Sequence, residues 1–173
     1  WASQFLTFNK PYTILTSGGS GTMGFGLPAA IGAQMWRRDK KVIVVVGDGG
    51  FQMTFQELML LKQYNLPVKV VIINNLYLGM VRQWQELFND RRYSSVDLNI
   101  NPSFENIAEA YDIKYMAINN REQLDSELRG LIESDEPVII NCIVEKEANV
   151  LPMIPGGASV DDIVGKRGVI EYA

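Results

Sequence analysis

The chain has 173 residues, 47% of them apolar and 21% charged, which is the size and composition of one globular domain with a full hydrophobic core. A formal net charge of −4 leaves no basic footprint for nucleic acid, and no apolar run approaches the roughly 20 residues that span a bilayer. There is no histidine, which removes Ser-His-Asp and Cys-His catalysis and histidine-ligated zinc in one step.

The start at Trp1, with neither methionine nor a signal-like segment, is expected to mark a piece of a longer chain. Residues 11–16 read as a first strand, ending at Ser17-Gly18-Gly19-Ser20-Gly21. An alanine-rich helix follows over 24–36, with Pro28 tolerable in its first turns. Residues 41–46 form a continuously apolar strand of the kind buried on both faces of a parallel sheet. A helix is expected over 51–64, a third strand over 68–73 and a helix over 78–88. Residues 89–100 are polar and read as a surface excursion.

Asn101-Pro102 looks like a helix cap followed by proline at the first position. Residues 115–118 are a fourth strand. Asn120 caps an amphipathic helix with Leu124, Leu128 and Leu131 on one face, and 138–144 is the fifth strand. Cys142, the lone cysteine, sits in that last run as a plain buried thiol. It allows no internal disulfide and points to a reducing compartment: the cytoplasm, with an organelle also open. Arg82, Arg91 and Arg92 read as a solvated basic patch.

Strands alternating with helices imply an α/β fold, doubly wound, with a mainly parallel sheet and helices on both faces. The whole of 1–173 is expected to be one domain, with 146–173 a Pro- and Gly-rich C-terminal tail. Ligands of such sheets bind beyond the carboxyl ends of the strands, where residues 17–23, 47–50 and 74–80 can converge.

Two diphosphate readings compete there. Gly19-Ser20-Gly21-Thr22-Met23-Gly24 matches the G-x-G-x-x-G of a dinucleotide fold, with Asp48 near the place of a ribose-binding acid. The other reading takes Gly47-Asp48-Gly49-Gly50 and Asn74-Asn75 as a magnesium cradle. Asp48 supplies charge, Asn75 an amide oxygen, a nearby backbone carbonyl a third ligand, and phosphate the rest. Gly49-Gly50 lets the chain turn closely, and the amides opening the next helix face the phosphate. A ribose acid needs neither flanking glycines nor a paired asparagine, so the second reading is preferred. The bland alternative is that Asp48 caps a helix and Asn74-Asn75 form a turn.

Gly47-Asp48-Gly49, then 24 residues, then Asn74-Asn75, is similar to the thiamine diphosphate signature of the transketolase and pyruvate decarboxylase superfamily. The block from Thr16 to Gln34 resembles acetohydroxyacid synthase (acetolactate synthase), catalytic subunit. So do Gln52-Met53-Thr54, Leu78-Gly79-Met80-Val81-Arg82-Gln83-Trp84 and the tail Leu151-Pro152-Met153-Ile154-Pro155. The resemblance implies a thiamine diphosphate-binding fold, the third domain of a three-domain enzyme. It implies that Asp48, Asn75 and the carbonyl of Tyr77 bind Mg2+, and that Gly49, Gly50, Leu78 and Gly79 line the diphosphate. The Gly21 carbonyl would meet the aminopyrimidine, and Met23 would be the apolar wedge that bends the cofactor. Met53, Met80 and Trp84 would wall the pocket for the 2-oxoacids pyruvate and 2-oxobutyrate.

The reaction so implied joins two 2-oxoacids with loss of carbon dioxide, in branched-chain amino acid synthesis. FAD is expected only in the full-length enzyme, on another domain. The expected partners are the rest of the catalytic subunit, a second catalytic subunit and a regulatory small subunit. The family commonly has leucine in place of Ser20 and Gln-His in place of Leu76-Tyr77. Its activating glutamate belongs to the first domain of a partner subunit, and neither Glu57 nor Glu86 matches it. No catalytic residue is therefore expected in this chain, which alone should be inactive. The competing readings are a glyoxylate carboligase or pyruvate oxidase type of enzyme, a nicotinamide-dependent dehydrogenase domain, and a non-catalytic module.

Overall fold

Three of the apolar runs become the middle and one edge of a single parallel sheet. The computed structural model describes residues 1–165 and the backbone of 168 and 169. Its helices and strands run, in order, α1 (Ala2–Phe5), α2 (Gly26–Trp36), β1 (Ile43–Gly47), α3 (Asp48–Gln52), α4 (Leu58–Gln63), β2 (Lys69–Asn74), α5 (Gly79–Phe88), α6 (Phe104–Ala110), β3 (Lys114–Ile118), α7 (Arg121–Glu133) and β4 (Val138–Ile143). The sheet order is β1-β2-β4-β3, and every neighbouring pair is parallel. This bears out the expected α/β class.

Alternating residues of the strands feed two cores. Val44, Val70, Ile72 and Ile139 face one layer with Leu27 and Ile31 of α2, Phe51 of α3, Leu58 and Leu61 of α4, and Phe104 of α6. Val138 and Ile140 face the other, under Leu128 and Leu131 of α7. α7 starts where Asn120 Oδ1 accepts from the Gln123 amide at 2.9 Å, as its sequence pattern predicts. Ile43 and Val45 of β1 stay exposed.

Four expectations fail. Residues 11–16 form no strand: Tyr12 has φ 57°, outside the extended region, and the segment pairs with nothing in the sheet. The expected single helix over 51–64 is interrupted at Met53 and Thr54, between α3 and a 3-10 turn (Phe55–Glu57) that leads into α4. The break is tertiary in origin, since Thr54 Oγ1 donates to the Gly24 carbonyl at 3.0 Å. Asn101 does not cap α6; Ser103 does, accepting from the Asn106 amide at 3.1 Å. Arg82 is no solvated charge. It is buried, paired with Glu86 at 2.8 Å and Glu147 at 3.2 Å, and stacked over the rings of Tyr77 and Tyr93. Arg91 and Arg92 are exposed, as expected.

The described part of the tail is ordered. Gln83, buried on α5, donates to the Val150 carbonyl at 3.1 Å and accepts from the Val150 amide at 2.7 Å. Beyond it lie a 3-10 turn (Val160–Asp162) and the antiparallel pair β5 (Val164–Gly165) and β6 (Gly168–Val169). The rest of the expected tail, residues 166, 167 and 170–173, lies outside the described residues. Cys142 is half-buried, and burial pushes its thiol up, away from the reactive thiolate.

Candidate functional site

β1 and β2 are adjacent and parallel, so the residues just past their ends lie side by side. β1 delivers Asp48 into the first turn of α3, and β2 delivers Asn74 and Asn75 into a turn ahead of α5. That turn is held by its own side chains: Asn74 Oδ1 accepts from the Leu76 amide at 3.3 Å and Asn75 Oδ1 from the Tyr77 amide at 3.1 Å. Leu76 takes φ 59°, a left-handed conformation uncommon for leucine. Backbone bonds then tie the turn to the excursion, from the Leu78 amide to the Val96 carbonyl and from the Leu98 amide to the Leu76 carbonyl, both at 2.9 Å.

Asp48 is 1% exposed. Its Oδ2 accepts from Asn101 Nδ2 at 2.8 Å. Burial pushes its carboxyl above the ordinary value, against the Asn101 donor and the amides of Asp48, Gly49 and Leu76, which favour the charged form. Among the described residues no lysine or arginine pairs with it. A buried carboxylate without a cation is costly, and the missing counter-charge is what a bound metal supplies.

The donors around it fit a hard cation. The carbonyls of Leu76 and Leu78 accept from Leu98 and Arg82, whereas among the described residues no hydrogen bond ends on the Tyr77 carbonyl between them. Asn75 Oδ1 has a second lone pair beyond the one given to Tyr77. No group of three or more His, Cys, Asp and Glu gathers among the described residues. One carboxylate, one carboxamide and one carbonyl are the kinds of oxygen donor that suit Mg2+, which usually takes one or two protein carboxylates together with phosphate and water.

The glycines beside Asp48 are closely approached by their neighbours. A Cβ at Gly49 would lie 2.6 Å from Leu78 Cδ2, 3.2 Å from Leu98 Cδ1 and 3.3 Å from Met23 Cε. Met23, Leu78 and, from the excursion, Leu98 therefore all close on Gly49. A Cβ at Gly50 would sit 3.1 Å from Val46 Cγ2, and one at Gly79 3.0 Å from Asn75 Nδ2. Gly21 lies in the preceding loop with φ 60°, its amide donating to the Ser17 carbonyl at 2.6 Å, and nothing stands within 4 Å of its Cβ position. Met80 and Trp84 project from α5 four residues apart, 50% and 38% exposed, and Met53 is 54% exposed at the break after α3. Trp84 also packs on Phe88, with ring centroids 4.8 Å apart, and lies 3.9 Å from a Cβ at Gly156 in the tail.

The G-x-G-x-x-G over 19–24 lacks the setting of a dinucleotide fingerprint. No strand precedes it, and α2 begins only at Gly26. Residues 1–142 match the model of the thiamine pyrophosphate enzyme, C-terminal TPP-binding domain. The chain belongs to this family. Thiamine pyrophosphate is thiamine diphosphate, so the diphosphate is that cofactor's and not a dinucleotide's.

Similar curated proteins include the acetolactate synthase large subunit of Lactococcus lactis, 49% identical over 95% of this chain and 28% of that protein. The mitochondrial acetolactate synthase catalytic subunit of Saccharomyces cerevisiae is 44% identical over 95% of this chain and 24% of its own length. The acetolactate synthase isozyme 2 large subunit of Escherichia coli is 42% identical, over 96% and 30%. The chain thus spans 24–30% of the length of these relatives. Among solved structures, a thiamine diphosphate-dependent 4-hydroxybenzoylformate decarboxylase of Rhodococcus jostii RHA1 aligns with a TM-score of 0.68 and 31% identity. That alignment covers 75% of this chain and 24% of the decarboxylase. The relatives include bacterial and mitochondrial proteins, so family membership fixes no single compartment. Among the described residues no helix is long and apolar enough to cross a membrane.

Sequence reasoning missed Asn101, Gln52 and Leu98. Gln52 Nε2 donates to Asn101 Oδ1 at 2.6 Å and to the Asp48 carbonyl at 3.3 Å. The only sequence signal at Asn101 was the proline after it, which points to a helix cap.

Proposed function

We propose that this chain is the diphosphate- and Mg2+-gripping domain of a thiamine diphosphate-dependent acetolactate synthase, which condenses two 2-oxoacids with loss of carbon dioxide. The observation that carries the site is the buried carboxylate of Asp48, which no lysine or arginine among the described residues pairs with, next to the closely packed Gly49. The identity of the relatives supports the choice of reaction. Asp48, Asn75 and the Tyr77 carbonyl hold Mg2+. Gly49, Gly50, Leu78 and Gly79 receive the diphosphate, the Gly21 carbonyl meets the aminopyrimidine, and Met23 is the apolar wedge. Thiamine diphosphate supplies the electron sink into which a 2-oxoacid loses carbon dioxide. Met53, Met80 and Trp84 wall the space for pyruvate and 2-oxobutyrate, keeping it apolar and poor in water.

The remaining parts lie on other domains and chains: FAD, the activating glutamate of a second catalytic subunit, and a regulatory small subunit. Glu86 is engaged by Arg82, which fits its exclusion as the activating acid. The chain alone should form no acetolactate from pyruvate, and turnover by it would refute the argument from the absent glutamate. A second reading, another thiamine diphosphate enzyme of 2-oxoacids, is favoured only by the likeness to the Rhodococcus decarboxylase.

The test is thermal. Thiamine diphosphate and Mg2+ together raise the melting temperature, and neither does so alone, because only the native site binds both. Equal stabilisation by NADH without Mg2+ would restore the dehydrogenase reading.

A further inference from the structure

The side chain that meets Asp48 comes from 53 residues away. Asn101 stands two residues before the Ser103 cap of α6 and contributes nothing to that cap. Its carboxamide is spent on both sides: Nδ2 donates to Asp48 Oδ2 at 2.8 Å, and Oδ1 accepts from Gln52 Nε2 at 2.6 Å. These two bonds decide which way round the amide sits. Turned over, its carbonyl would face a carboxylate and its NH2 would face the NH2 of Gln52, replacing two attractions with two repulsions. Gln52 is four residues on from Asp48 along α3, and its donation to the Asp48 carbonyl at 3.3 Å anchors it to the turn it serves. The result is a closed relay from the α3 backbone through Gln52 and Asn101 back to the Asp48 carboxylate.

We infer that Asn101 is a positioning residue for the metal site: it pins Oδ2 of Asp48 so that the other carboxylate oxygen is presented singly to a divalent cation, and Gln52 sets the Asn101 amide for that task. The inference rests on the reading of Asp48 as a metal ligand. Mg2+ demands near-ideal octahedral geometry, whereas Ca2+ accepts irregular and two-oxygen carboxylate coordination. A carboxylate released from its pin can turn and offer both oxygens. Removal of the pin therefore weakens Mg2+ more than Ca2+, a distinction that a general loosening of the fold would not make. Outer-shell partners of metal ligands typically change affinity by about 10–100-fold when removed.

The experiment titrates Mg2+ and, separately, Ca2+ into the intact protein at saturating thiamine diphosphate, reading the melting temperature at each concentration. Asn101→Ala is expected to raise the Mg2+ requirement by about 10–100-fold and the Ca2+ requirement by less. Gln52→Leu raises the Mg2+ requirement by a smaller factor. The double variant is no worse than Asn101→Ala alone, because Gln52 acts through Asn101. Equal losses for the two cations, or additive effects in the double variant, overturn the inference. If the unaltered protein shows no metal-dependent stabilisation, the proposed function falls and takes the inference with it. If it does, and Asn101→Ala needs no more Mg2+ than before, the inference alone falls. Should Asn101→Ala not fold, Gln52→Leu carries the test: a raised Mg2+ requirement with Ca2+ less affected supports the relay, and an unchanged one overturns it.

Discussion

Two charges are buried at opposite ends of the β1–β2 pair, and they are treated in opposite ways. Lys69, at the start of β2, is 0% exposed. Its ammonium donates to the Ser134 carbonyl at 2.7 Å, to Ser134 Oγ at 2.9 Å and to the Glu136 carbonyl. Three N–H groups meet three acceptors at the end of α7, where a cation also complements the helix dipole. Lys41 reinforces that end from outside, bonding the Ser134 carbonyl at 2.9 Å and Asp135 at 2.8 Å. Among the described residues Asp48, past the end of β1, has one side-chain donor and no lysine or arginine partner. In both, burial is the leading influence: it pushes the Lys69 ammonium down and the Asp48 carboxyl up. The Lys69 charge is met in full by its own chain and serves the fold. The Asp48 carboxylate is met by the Asn101 amide and neighbouring backbone amides but by no lysine or arginine among the described residues, which is where the proposed metal would add its charge.

The largest expected effect lies at the filled end. Lys69→Met takes the ammonium away from Ser134 Oγ and the Glu136 carbonyl and leaves the Ser134 carbonyl to Lys41 alone. It should destabilise the protein by on the order of 3 kcal/mol in urea unfolding. The Mg2+ requirement of the folded fraction should not move. A changed Mg2+ requirement would break the comparison, because it would make Lys69 part of the site.

Next comes a slope with pH at the unfilled end. The folded Asp48 carboxyl keeps its proton to higher pH than the unfolded chain does. Its contribution to metal-free stability is therefore greatest below the unfolded carboxylate value and is lost as pH rises through the raised folded value. Mg2+ with thiamine diphosphate should abolish that fall by supplying the missing positive charge. Asp48→Asn should lose both the slope and the Mg2+ dependence. Melting curves between about pH 4 and pH 8, spanning the ordinary carboxylate value, measure it. A metal-free stability that rises through the same window in the unaltered protein, and is flat in the variant, would show that Asp48 is already paired.

Local pattern was enough wherever one segment supplied its own reason. The apolar runs over 41–46, 68–73 and 138–144 became β1, β2 and β4 within about two residues. β2 and β4, in the middle of the sheet, are buried on both faces as such runs suggest, whereas β1 lies at the edge with Ile43 and Val45 exposed, against the burial expected of it. Adjacency of β1 and β2 then places Asp48 and Asn75 together, as their spacing suggested. Patterns failed where the partner was remote. Residues 11–16, with Thr13, Ile14 and Thr16, have strand propensity but no strand to pair with, and propensity alone does not make a ladder. Arg82 looks solvated from its neighbours, yet one of its carboxylates, Glu147, is 65 residues away. Asn101 carried a good local signal for capping, and that signal described Ser103 instead.

The smallest effects come from adding one methyl group at each end. Gly130, in the interior of α7, has nothing within 4 Å of its Cβ position, and Gly79 opens α5 with Asn75 Nδ2 at 3.0 Å. Neither is among the glycines with positive φ, so alanine suits both backbones. Gly130→Ala should stabilise by roughly 0.5–1 kcal/mol, the usual gain in a helix interior, and leave the Mg2+ requirement where it was. Gly79→Ala gains less in stability at a helix start but presses on the Asn75 amide. A displacement of a few tenths of an ångström is enough to turn Oδ1 away from an octahedral position, so its Mg2+ requirement should rise while its melting temperature without metal hardly changes. The pair separates stability from binding with the same chemical change. If Gly79→Ala binds Mg2+ as readily as Gly130→Ala does, Asn75 is only a turn residue, and the open end of the sheet rests on Asp48 alone.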